Sequence, residues 1–263
     1  MTKILAIANQ KGGVGKTTTA LNLAASLAAS YKKVLLVDLD PQGNATMGSG
    51  INKDELRVSS LEVLLNEKDI HDVIVRSESG GYDLLPSNSD LTAAEVELLN
   101  ELMREQRLRH ALLKVKHNYD YIVIDCPPSL NMLTLNALVA ANGVVIPVQC
   151  EYFSLEGLSA LVGTIDKVSS VANKELKIEG IVRTMYDPRN MLTADVSEQL
   201  KAHFGNKLYS TVIPRNVRLA EAPSYGEPAL KYDKNSKGAI AYLGLAGEII
   251  RKHKTAAKKK KVS

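Results

Sequence analysis

The stretch of sequence that decides the fold is Lys11-Gly12-Gly13-Val14-Gly15-Lys16-Thr17-Thr18. An apolar run at 4–8 precedes it and predicts a buried parallel strand, and an Ala- and Leu-rich run at 19–29 follows it and predicts a helix. A glycine loop between a strand and a helix is typical of a phosphate-binding loop, because glycines let several backbone N–H groups point at one anion. The sequence therefore predicts that this chain binds a nucleoside triphosphate.

Two side chains of this loop carry the chemistry that a triphosphate needs. The amine of Lys16 is expected to reach the β- and γ-phosphates, and the hydroxyl of Thr17 is expected to ligate Mg²⁺. The N-terminus of the following helix adds a partial positive charge at the same place. All eight residues at 11–18 are therefore predicted to contact the nucleotide.

The loop departs from the usual spacing G-x-x-x-x-G-K-[ST], since Gln10 stands where the first glycine is expected. Lys11 is a second lysine inside the loop, and Lys16 already fills the space beside the phosphates. Lys11 is therefore predicted to reach outward, toward a nucleotide held by a second copy of the chain. The alternative is a solvated lysine on a glycine turn.

Two acid-ended segments follow apolar strands. The loop D-L-D-P-Q-G-N at 38–44 contains Asp38 and Asp40, and the run Y-I-V-I-D at 121–125 ends in Asp125. Ligands of an open parallel sheet lie beyond the carboxyl ends of its strands, so these acids are expected to face Mg²⁺ or the attacking water. Asp40 is predicted to orient that water or contact the metal, and Asp38 to support the metal shell or Lys16. Asp125 looks like a Walker B acid that holds a Mg²⁺-bound water.

The order of predicted elements alternates strand and helix, which implies parallel strands joined by right-handed crossovers. The chain is 45% hydrophobic and only 5% aromatic, without tryptophan, so its core is aliphatic. We therefore predict an α/β fold with a doubly wound, mostly parallel sheet and helices on both faces, as in P-loop NTPases. Residues 92–116 are predicted to form one long amphipathic helix with a strongly charged middle.

Charge is distributed unevenly along the chain. Seven of the 33 basic residues lie after residue 250 and no acid does, so residues 1–250 carry 26 basic and 29 acidic side chains, a net charge of −3. We predict a single domain at 1–253 and a basic, disordered tail at 254–263. Such a tail attracts polyanions, and the alternative is a segment that only aids solubility.

The remaining composition excludes several classes of protein. No apolar run approaches the length of a membrane span, and no signal peptide is recognised, so a cytoplasmic protein without stable membrane association is expected. Cys126 and Cys150 are the only two cysteines, which do not make the disulfide framework of a secreted protein. Cys126 is predicted to be a buried, neutral thiol.

Five motifs carry a family resemblance. They are K-G-G-V-G-K-T-T at 11–18, D-L-D-P-Q-G-N at 38–44, Y-I-V-I-D-C-P-P-S at 121–129, P-V-Q-C-E-Y-F-S-L-E-G-L at 147–158 and T-V-I-P-R-N-V-R-L-A-E-A-P-S at 211–224. Together they closely resemble the ParA/Soj branch of chromosome- and plasmid-partition ATPases, within the ParA/MinD group that has a deviant Walker A loop. The resemblance extends from residue 3 to about residue 250 and leaves out the terminal lysine run.

The resemblance implies a nucleotide-driven cycle. ATP, with Mg²⁺, would let two subunits close into a homodimer in which Lys11 of each touches the phosphates of the other. The dimer would bind DNA without sequence preference, which implies a location on the nucleoid. A ParB-type partner at centromere-like sites would stimulate hydrolysis and release the dimer from DNA.

The resemblance also implies roles for individual residues. Asp40 would be the residue on which hydrolysis depends, and Pro214 and Asn216, in I-P-R-N, would lie near the adenine. The DNA-binding arginines of this branch match Arg189, in Y-D-P-R-N, and Arg218, in N-V-R-L. Without the resemblance, these two arginines would be interpreted as solvated loop charges.

Three alternatives remain open from the sequence. A MinD-like ATPase that cycles on membranes would end in an amphipathic helix, and His253 to Ser263 offers no Leu or Phe face to insert. A relative of the nitrogenase iron protein would need shared cysteine pairs, and no C-x-x-C is present. A nucleotide-gated DNA-binding regulator with incidental hydrolysis shares all the motifs, and only a variant without turnover would separate it.

Overall fold

The fold is built around one eight-stranded sheet in a computed structural model, which describes residues 2–151 and 154–262, and their side chains outside 154–156 and 257–262. The strands are β1 (Lys3–Ile7), β2 (Val34–Asp38), β3 (Val75–Ser77), β4 (Tyr82–Leu85), β5 (Tyr121–Asp125), β6 (Gly143–Gln149), β7 (Lys177–Tyr186) and β8 (Leu208–Pro214). Their order in the sheet is β3-β4-β2-β5-β1-β6-β7-β8.

Twelve α-helices are assigned within the described residues. They are α1 (Lys16–Ala29), α2 (Asn44–Gly48), α3 (Ser60–Leu64), α4 (Ile70–Val73), α5 (Ala94–Glu97), α6 (Arg107–Val115), α7 (Met132–Ala140), α8 (Ser154–Val171), α9 (Met191–Phe204), α10 (Val217–Glu221), α11 (Ala229–Tyr232) and α12 (Lys237–Val262). Short 3₁₀ turns occur at Lys53–Glu55, Ser89–Ala93, Leu98–Asn100, Arg104–Gln106, Lys116–Asn118, Gly205–Lys207 and Ala222–Tyr225.

All neighbouring strands of the sheet pair in parallel, except that β3 and β4 are antiparallel. From β1 the chain crosses the position of β5 to reach β2, and later it crosses β1 in the opposite direction, from β5 to β6. The strand order therefore reverses beside β1, which is where sheets of this type bind ligands. The predicted doubly wound, mostly parallel α/β fold is confirmed.

The core consists of two layers, one on each face of the sheet. Along β1, Ile4 and Ala6 face one layer, whose helices include α6 to α9, while Leu5 and Ile7 face the other, which contains α1 and α12. Because both faces of the central strands are covered, these strands are continuous aliphatic runs and do not alternate with polar residues. Burial of each such side chain contributes about 1.5–3 kcal/mol, and it fixes β1 rigidly under the glycine loop.

The prediction of one helix over 92–116 is wrong. Met103 has a φ of 53°, in the left-handed region, and the chain forms short helical turns before it and α6 after it. The side chain of Asn136, on α7, satisfies the backbone at this break. Its Oδ1 accepts from the Leu108 N–H at 3.1 Å, and its Nδ2 donates to the Arg104 carbonyl at 2.9 Å. This tertiary contact overrides the helical spacing of the apolar residues.

The last helix, α12, begins at Lys237 and ends at Val262, so the backbone at 254–262 is helical where the sequence predicts disorder. Lysine and alanine, which dominate this stretch, are both good helix formers. Although α12 is 26 residues long, neither it nor any other helix in the described chain has the combined length and hydropathy of a membrane span. The division into a domain at 1–253 and a tail at 254–263 stays a prediction.

Both cysteines are buried free thiols, and Cys126 is fully inaccessible to solvent. Burial raises the pKa of Cys126 far above its usual range and raises that of Cys150 to about 11. Neither thiol therefore carries charge near neutral pH.

Candidate functional site

The glycine loop curls over the carboxyl end of β1. Gly13 and Gly15 have φ values of 73° and 86°, which only glycine adopts without strain. The loop is held from outside by Thr184, near the end of β7, whose hydroxyl donates to the Val14 carbonyl at 2.8 Å. Because α1 begins at Lys16, the loop places the unpaired N–H groups of that helix at the edge of the sheet, where an anion is favoured.

Lys16 lies in a negatively charged environment beneath the loop. Its side chain is buried, and its Nζ donates to the Lys11 carbonyl at 3.2 Å. Burial lowers the pKa of Lys16, while the nearby carboxylates of Asp125 and Asp40 act in the opposite direction. A buried ammonium whose partner is a single carbonyl can exchange that contact for a phosphate oxygen at little cost.

Asp125 is fully buried, and of the described residues only Thr17 and Lys16 compensate its charge. It ends β5, in register with Asp38 at the end of β2, and neither of its carboxylate oxygens has a hydrogen-bond partner among the described residues. Burial raises the pKa of Asp125 well above its usual range and the neighbouring Asp38 adds to this rise, while Thr17 and Lys16 oppose it. Buried polar groups are normally paired, so this arrangement leaves room for a missing partner. A carboxylate beside a threonine hydroxyl is a donor set that suits a hydrated Mg²⁺ ion.

Asp38 is fully buried at the end of β2, beside Asp125. Its Oδ2 accepts from the Thr46 N–H at 2.8 Å and the Thr46 hydroxyl at 2.7 Å, and its Oδ1 accepts from the Asp40 N–H at 3.1 Å. Burial nevertheless raises its pKa to about 6, and the neighbouring Asp40 contributes to the rise. Asp38 therefore braces the loop at 38–46 from below. Among the described residues it makes no hydrogen bond to Lys16, and its support of a metal shell stays a prediction.

Asp40 lies above this brace, close enough to Lys16 that its carboxylate opposes the lowering of the Lys16 pKa by burial. Its Oδ1 accepts from the Gln42 N–H at 3.0 Å, and its carbonyl accepts from the Ser87 hydroxyl at 2.9 Å and the Gly43 N–H at 2.8 Å. Within the described chain, no donor contacts its Oδ2 atom. The loop thus fixes the backbone of Asp40 and leaves one carboxylate oxygen available to a water molecule.

Lys11 is turned away from its own loop. Its Nζ lies 2.5 Å from Glu151 Oε2, and both side chains are about half-exposed. The Lys11 N–H donates to Asn9 Oδ1 at 3.0 Å, and the Asn9 amide in turn donates to the Pro147 carbonyl of β6 at 2.7 Å. An exposed ion pair of this kind contributes about 0–1 kcal/mol, so Lys11 can leave Glu151 when a stronger anion arrives. Tyr152 and Phe153 of the motif at 147–158 lie outside the described residues.

A cavity of about 190 Å³ adjoins the loop on the side of β7 and β8. Pro214 and Asn216, the residues implied for the base, line it together with Gly15 and Thr18 of the loop. The Asn216 Oδ1 is buried without a partner among the described residues. The remaining walls of the cavity are formed by Thr184, Met185, Ile213, Arg215, Leu219, Ala220 and Tyr242. Mostly apolar walls with one unsatisfied amide are typical of a site for a flat heterocycle.

Arg189 and Arg218 lie at the same edge of the sheet as the loop. They follow β7 and β8, whose last residues, Tyr186 and Pro214, are register partners. Arg189 is bound to Asp187 by contacts of 2.7 and 2.9 Å, and it lowers the pKa of that acid to about 2, with Arg215 acting in the same direction.

Arg218 is similarly paired within its own subunit. Its Nη1 lies 2.8 Å from Glu221 Oε2, and its Nε lies 3.5 Å from Asp233 Oδ2. Both predicted DNA-binding arginines are therefore exposed but already neutralised by a neighbouring carboxylate. A phosphate that binds either of them has to replace that carboxylate.

Sequence reasoning missed two polar residues of this site, Thr184 and Glu151. Thr184 is a polar residue at the carboxyl end of a predicted strand, which is the signal that identified Asp125. Glu151 follows β6 in the same way and lies in a quoted motif, but nothing local indicates that it pairs with Lys11, 140 positions away in the chain.

Comparisons with known proteins identify relatives of this chain. A family model described as an AAA domain matches residues 2–178. The sporulation initiation inhibitor protein Soj of Bacillus subtilis is 53% identical over 249 residues, which are 95% of this chain and 98% of Soj. The chromosome partitioning protein ParA of Caulobacter vibrioides is 51% identical over 250 residues, which are 94% of each chain.

A solved structure shares the fold over almost its whole length. Cobyrinic acid a,c-diamide synthase from Mycobacterium smegmatis, with bound ADP and magnesium, superposes with a TM-score of 0.86 at 40% sequence identity, over 97% of both chains. The sequence motifs, the fold and the two relatives point to the same family. The chain belongs to the ParA/Soj family of partition ATPases.

Proposed function

We propose that this partition ATPase binds ATP and Mg²⁺ in the glycine loop, closes into a homodimer, and binds DNA without sequence preference until a ParB-type partner stimulates hydrolysis. The observation that carries the proposal is the buried, unpartnered carboxylate of Asp125 beside Lys16 and Thr17, beneath a loop shaped for phosphates. A charged group in that position is costly unless a ligand compensates it. The presence of ADP and magnesium in the M. smegmatis relative supports this assignment.

Within this proposal, the loop residues and the acids have separate tasks. The N–H groups at 11–18 and the Lys16 amine hold the phosphates, and Thr17 and Asp125 hold the hydrated metal, with Asp40 at its outer side. Mg²⁺ in such a site neutralises charge on the β- and γ-phosphate oxygens. The open Oδ2 of Asp40 orients the attacking water.

The cavity beside the loop supports adenine as the base. Pro214 offers a flat apolar surface, and the unpaired Oδ1 of Asn216 accepts a hydrogen bond from an exocyclic amine. Adenine presents an amine on its six-membered ring where guanine presents a carbonyl. An amide oxygen at that place therefore favours ATP.

Replacement of Lys11 by alanine is expected to leave ATP binding nearly unchanged and to weaken the ATP-dependent dimer by about 10²–10⁴-fold. The reason is that a two-fold dimer contains the Lys11–phosphate contact twice, and each charged hydrogen bond contributes about 1.5–3 kcal/mol. Sedimentation velocity with ATP, ADP and no nucleotide measures the dimer.

The matched control for this prediction is Lys33→Ala, which removes an exposed lysine just before the amino end of β2, at the opposite edge of the sheet. That variant should dimerise like the natural chain. A Lys11→Ala protein with an undiminished ATP-dependent dimer would remove Lys11 from the subunit interface.

The family resemblance assigns binding of DNA to Arg189 and Arg218, and their common position at the nucleotide edge of the sheet supports this assignment. Each subunit offers few phosphate contacts, and pairing two subunits doubles them. Affinity for a duplex rises steeply with the number of neutralised phosphates, so the dimer binds DNA far better than the monomer. This links DNA binding to the presence of ATP.

The Arg218→Glu variant is expected to dimerise with ATP but to bind DNA about 10²-fold more weakly, with a salt slope smaller by about two, since two contacts per dimer are lost. Fluorescence anisotropy with a labelled duplex over a salt series provides both values. Arg109→Glu, on the exposed side of α6, is the control with the same change of charge. Equal DNA binding by the Arg218→Glu and Arg109→Glu proteins would show that Arg218 does not contact DNA.

A further inference from the structure

A buried carboxylate anchors the end of the last helix to the sheet. Glu179, on β7, has a side chain only 3% exposed, and its Oε1 lies 3.2 Å from both Lys252 Nζ and His253 Nε2. The Lys252 ammonium also donates to the Glu179 carbonyl. Lys252 and His253, at the base of the lysine-rich stretch, therefore both contact one acid of the core.

Aromatic side chains complete this anchor. The rings of His253 and Tyr121 stack with their centroids 5.7 Å apart, and the Tyr121 hydroxyl lies 3.1 Å from His253 Nδ1. Lys252 Nζ lies 5.5 Å from the centroid of the Tyr209 ring, within the range of a cation–π contact. Gly143 permits this packing, since a Cβ at that position would lie 2.8 Å from the Glu179 Cβ.

The anchor lies at the edge of the sheet opposite the nucleotide site. Glu179 is the third residue of β7 and Tyr121 is the first residue of β5, whereas the glycine loop and Arg189 follow the other ends of strands. With about 3.3 Å per strand residue, the seven residue steps from Glu179 to Tyr186, at the other end of β7, separate the anchor from that edge by roughly 23 Å. If subunits pair at the nucleotide edge, their anchored helix ends lie at the two far ends of the dimer.

The stretch that follows the anchor is strongly cationic. Residues 251–261, here called the basic segment, contain seven lysine and arginine residues, and no acid follows Glu248. Glu179 engages Lys252, while Arg251 and Lys254 are exposed. The only apolar residues from 253 to 263 are Ala256, Ala257 and Val262, which do not form a face that enters a lipid bilayer. A dense row of phosphates, as in a nucleic acid duplex, is the complementary partner.

We propose that the basic segment is a second DNA-binding surface, so that one dimer holds at least two separate duplexes, one at the arginine edge and another at either anchored helix end. This inference rests on the proposed DNA binding at Arg189 and Arg218. The anchor matters because it fixes the segment about one strand length away from that edge. The two surfaces therefore engage different duplexes and do not add contacts to the same one.

The test is a bridging assay with ATP at about 0.1 M salt, where surface charges still act over about 10 Å. A duplex on beads binds the protein, and capture of a second, fluorescent duplex is measured. The full chain should capture it. A chain that ends at His253 keeps the anchor and should still bind the bead duplex. Its capture of the second duplex should fall by about tenfold or more, because five lysines are lost.

Two substituted chains separate charge from helix length. Glutamine at Lys254 and Lys258 to Lys261 should abolish bridging, and arginine at the same five positions should retain it. Undiminished capture by the truncated or glutamine chain overturns the inference. Binding of the basic segment to vesicles of anionic lipid, without bridging of duplexes, overturns it as well. If the full chain fails to bind even the bead duplex, the proposed function itself fails, which is a different outcome.

Discussion

The Lys16→Ala protein is expected to bind ATP about 10²–10⁴-fold more weakly. Lys16 is the only buried cation beneath the loop in the described chain. Each charged hydrogen bond to a phosphate contributes about 1.5–3 kcal/mol. The loss of Lys16 also leaves Asp125 and Asp40 without the ammonium that faces them. Two effects therefore add: the phosphates lose a ligand, and the site becomes more negative toward a polyanion.

Titration calorimetry with Mg²⁺-ATP measures this loss, and Lys11→Ala is the control, since it removes the other lysine of the same loop. Circular dichroism of both proteins distinguishes a loss of ligand from a loss of fold. If the Lys16→Ala chain binds ATP as tightly as the natural chain, the phosphates do not lie where the loop geometry puts them, and the proposed site is wrong.

The second large effect is expected for Asp40→Ala, which should slow ATP hydrolysis by about 10²–10⁴-fold, the range typical of a lost general base or water-orienting group. ATP binding and the dimer should persist. The contacts of Asp40 to Ser87 and Gly43 use its carbonyl, and only the hydrogen bond from the Gln42 N–H is lost with the side chain. Single-turnover hydrolysis, with DNA and a ParB-type partner present, is the measurement.

This variant also separates two functions that share every motif. If hydrolysis drives release, the Asp40→Ala dimer should remain on DNA after the partner is added. If the protein is a nucleotide-gated regulator whose hydrolysis is incidental, release proceeds without turnover. Asp40→Asn keeps the shape of the side chain and should behave like alanine, since the amide lacks the negative charge that orients water.

The sequence predicted the parts of the site that depend on local pattern. In an open parallel sheet, a glycine loop between a strand and a helix lies at the edge formed by the carboxyl ends of the strands. Acids that directly follow apolar strands lie at the same edge. Lys16 and Asp125 therefore meet in the structure as their positions in the chain imply. The fold class followed from the same alternation of strands and helices, although the short edge strand β3, which is antiparallel to β4, was not predicted.

Features that depend on contacts between distant segments were not predictable. The helix predicted over 92–116 breaks because Asn136, from another helix, binds the backbone at the break. Asp38 was expected to support the metal shell or Lys16, and no local signal indicated that its Oδ2 accepts hydrogen bonds from both the N–H and the hydroxyl of Thr46, eight positions later. The anchor of α12 joins Glu179 to Lys252, 73 positions later, and no spacing rule relates the two.

The burial of both native thiols makes this chain convenient for optical work. Maleimide dyes react with thiolates, whereas Cys126 is inaccessible, Cys150 is only 5% exposed, and both are protonated near neutral pH. A single cysteine introduced at an exposed position near the nucleotide edge would then carry nearly all of the fluorophore. Energy transfer between donor- and acceptor-labelled copies would follow subunit pairing in real time, without first replacing either natural cysteine.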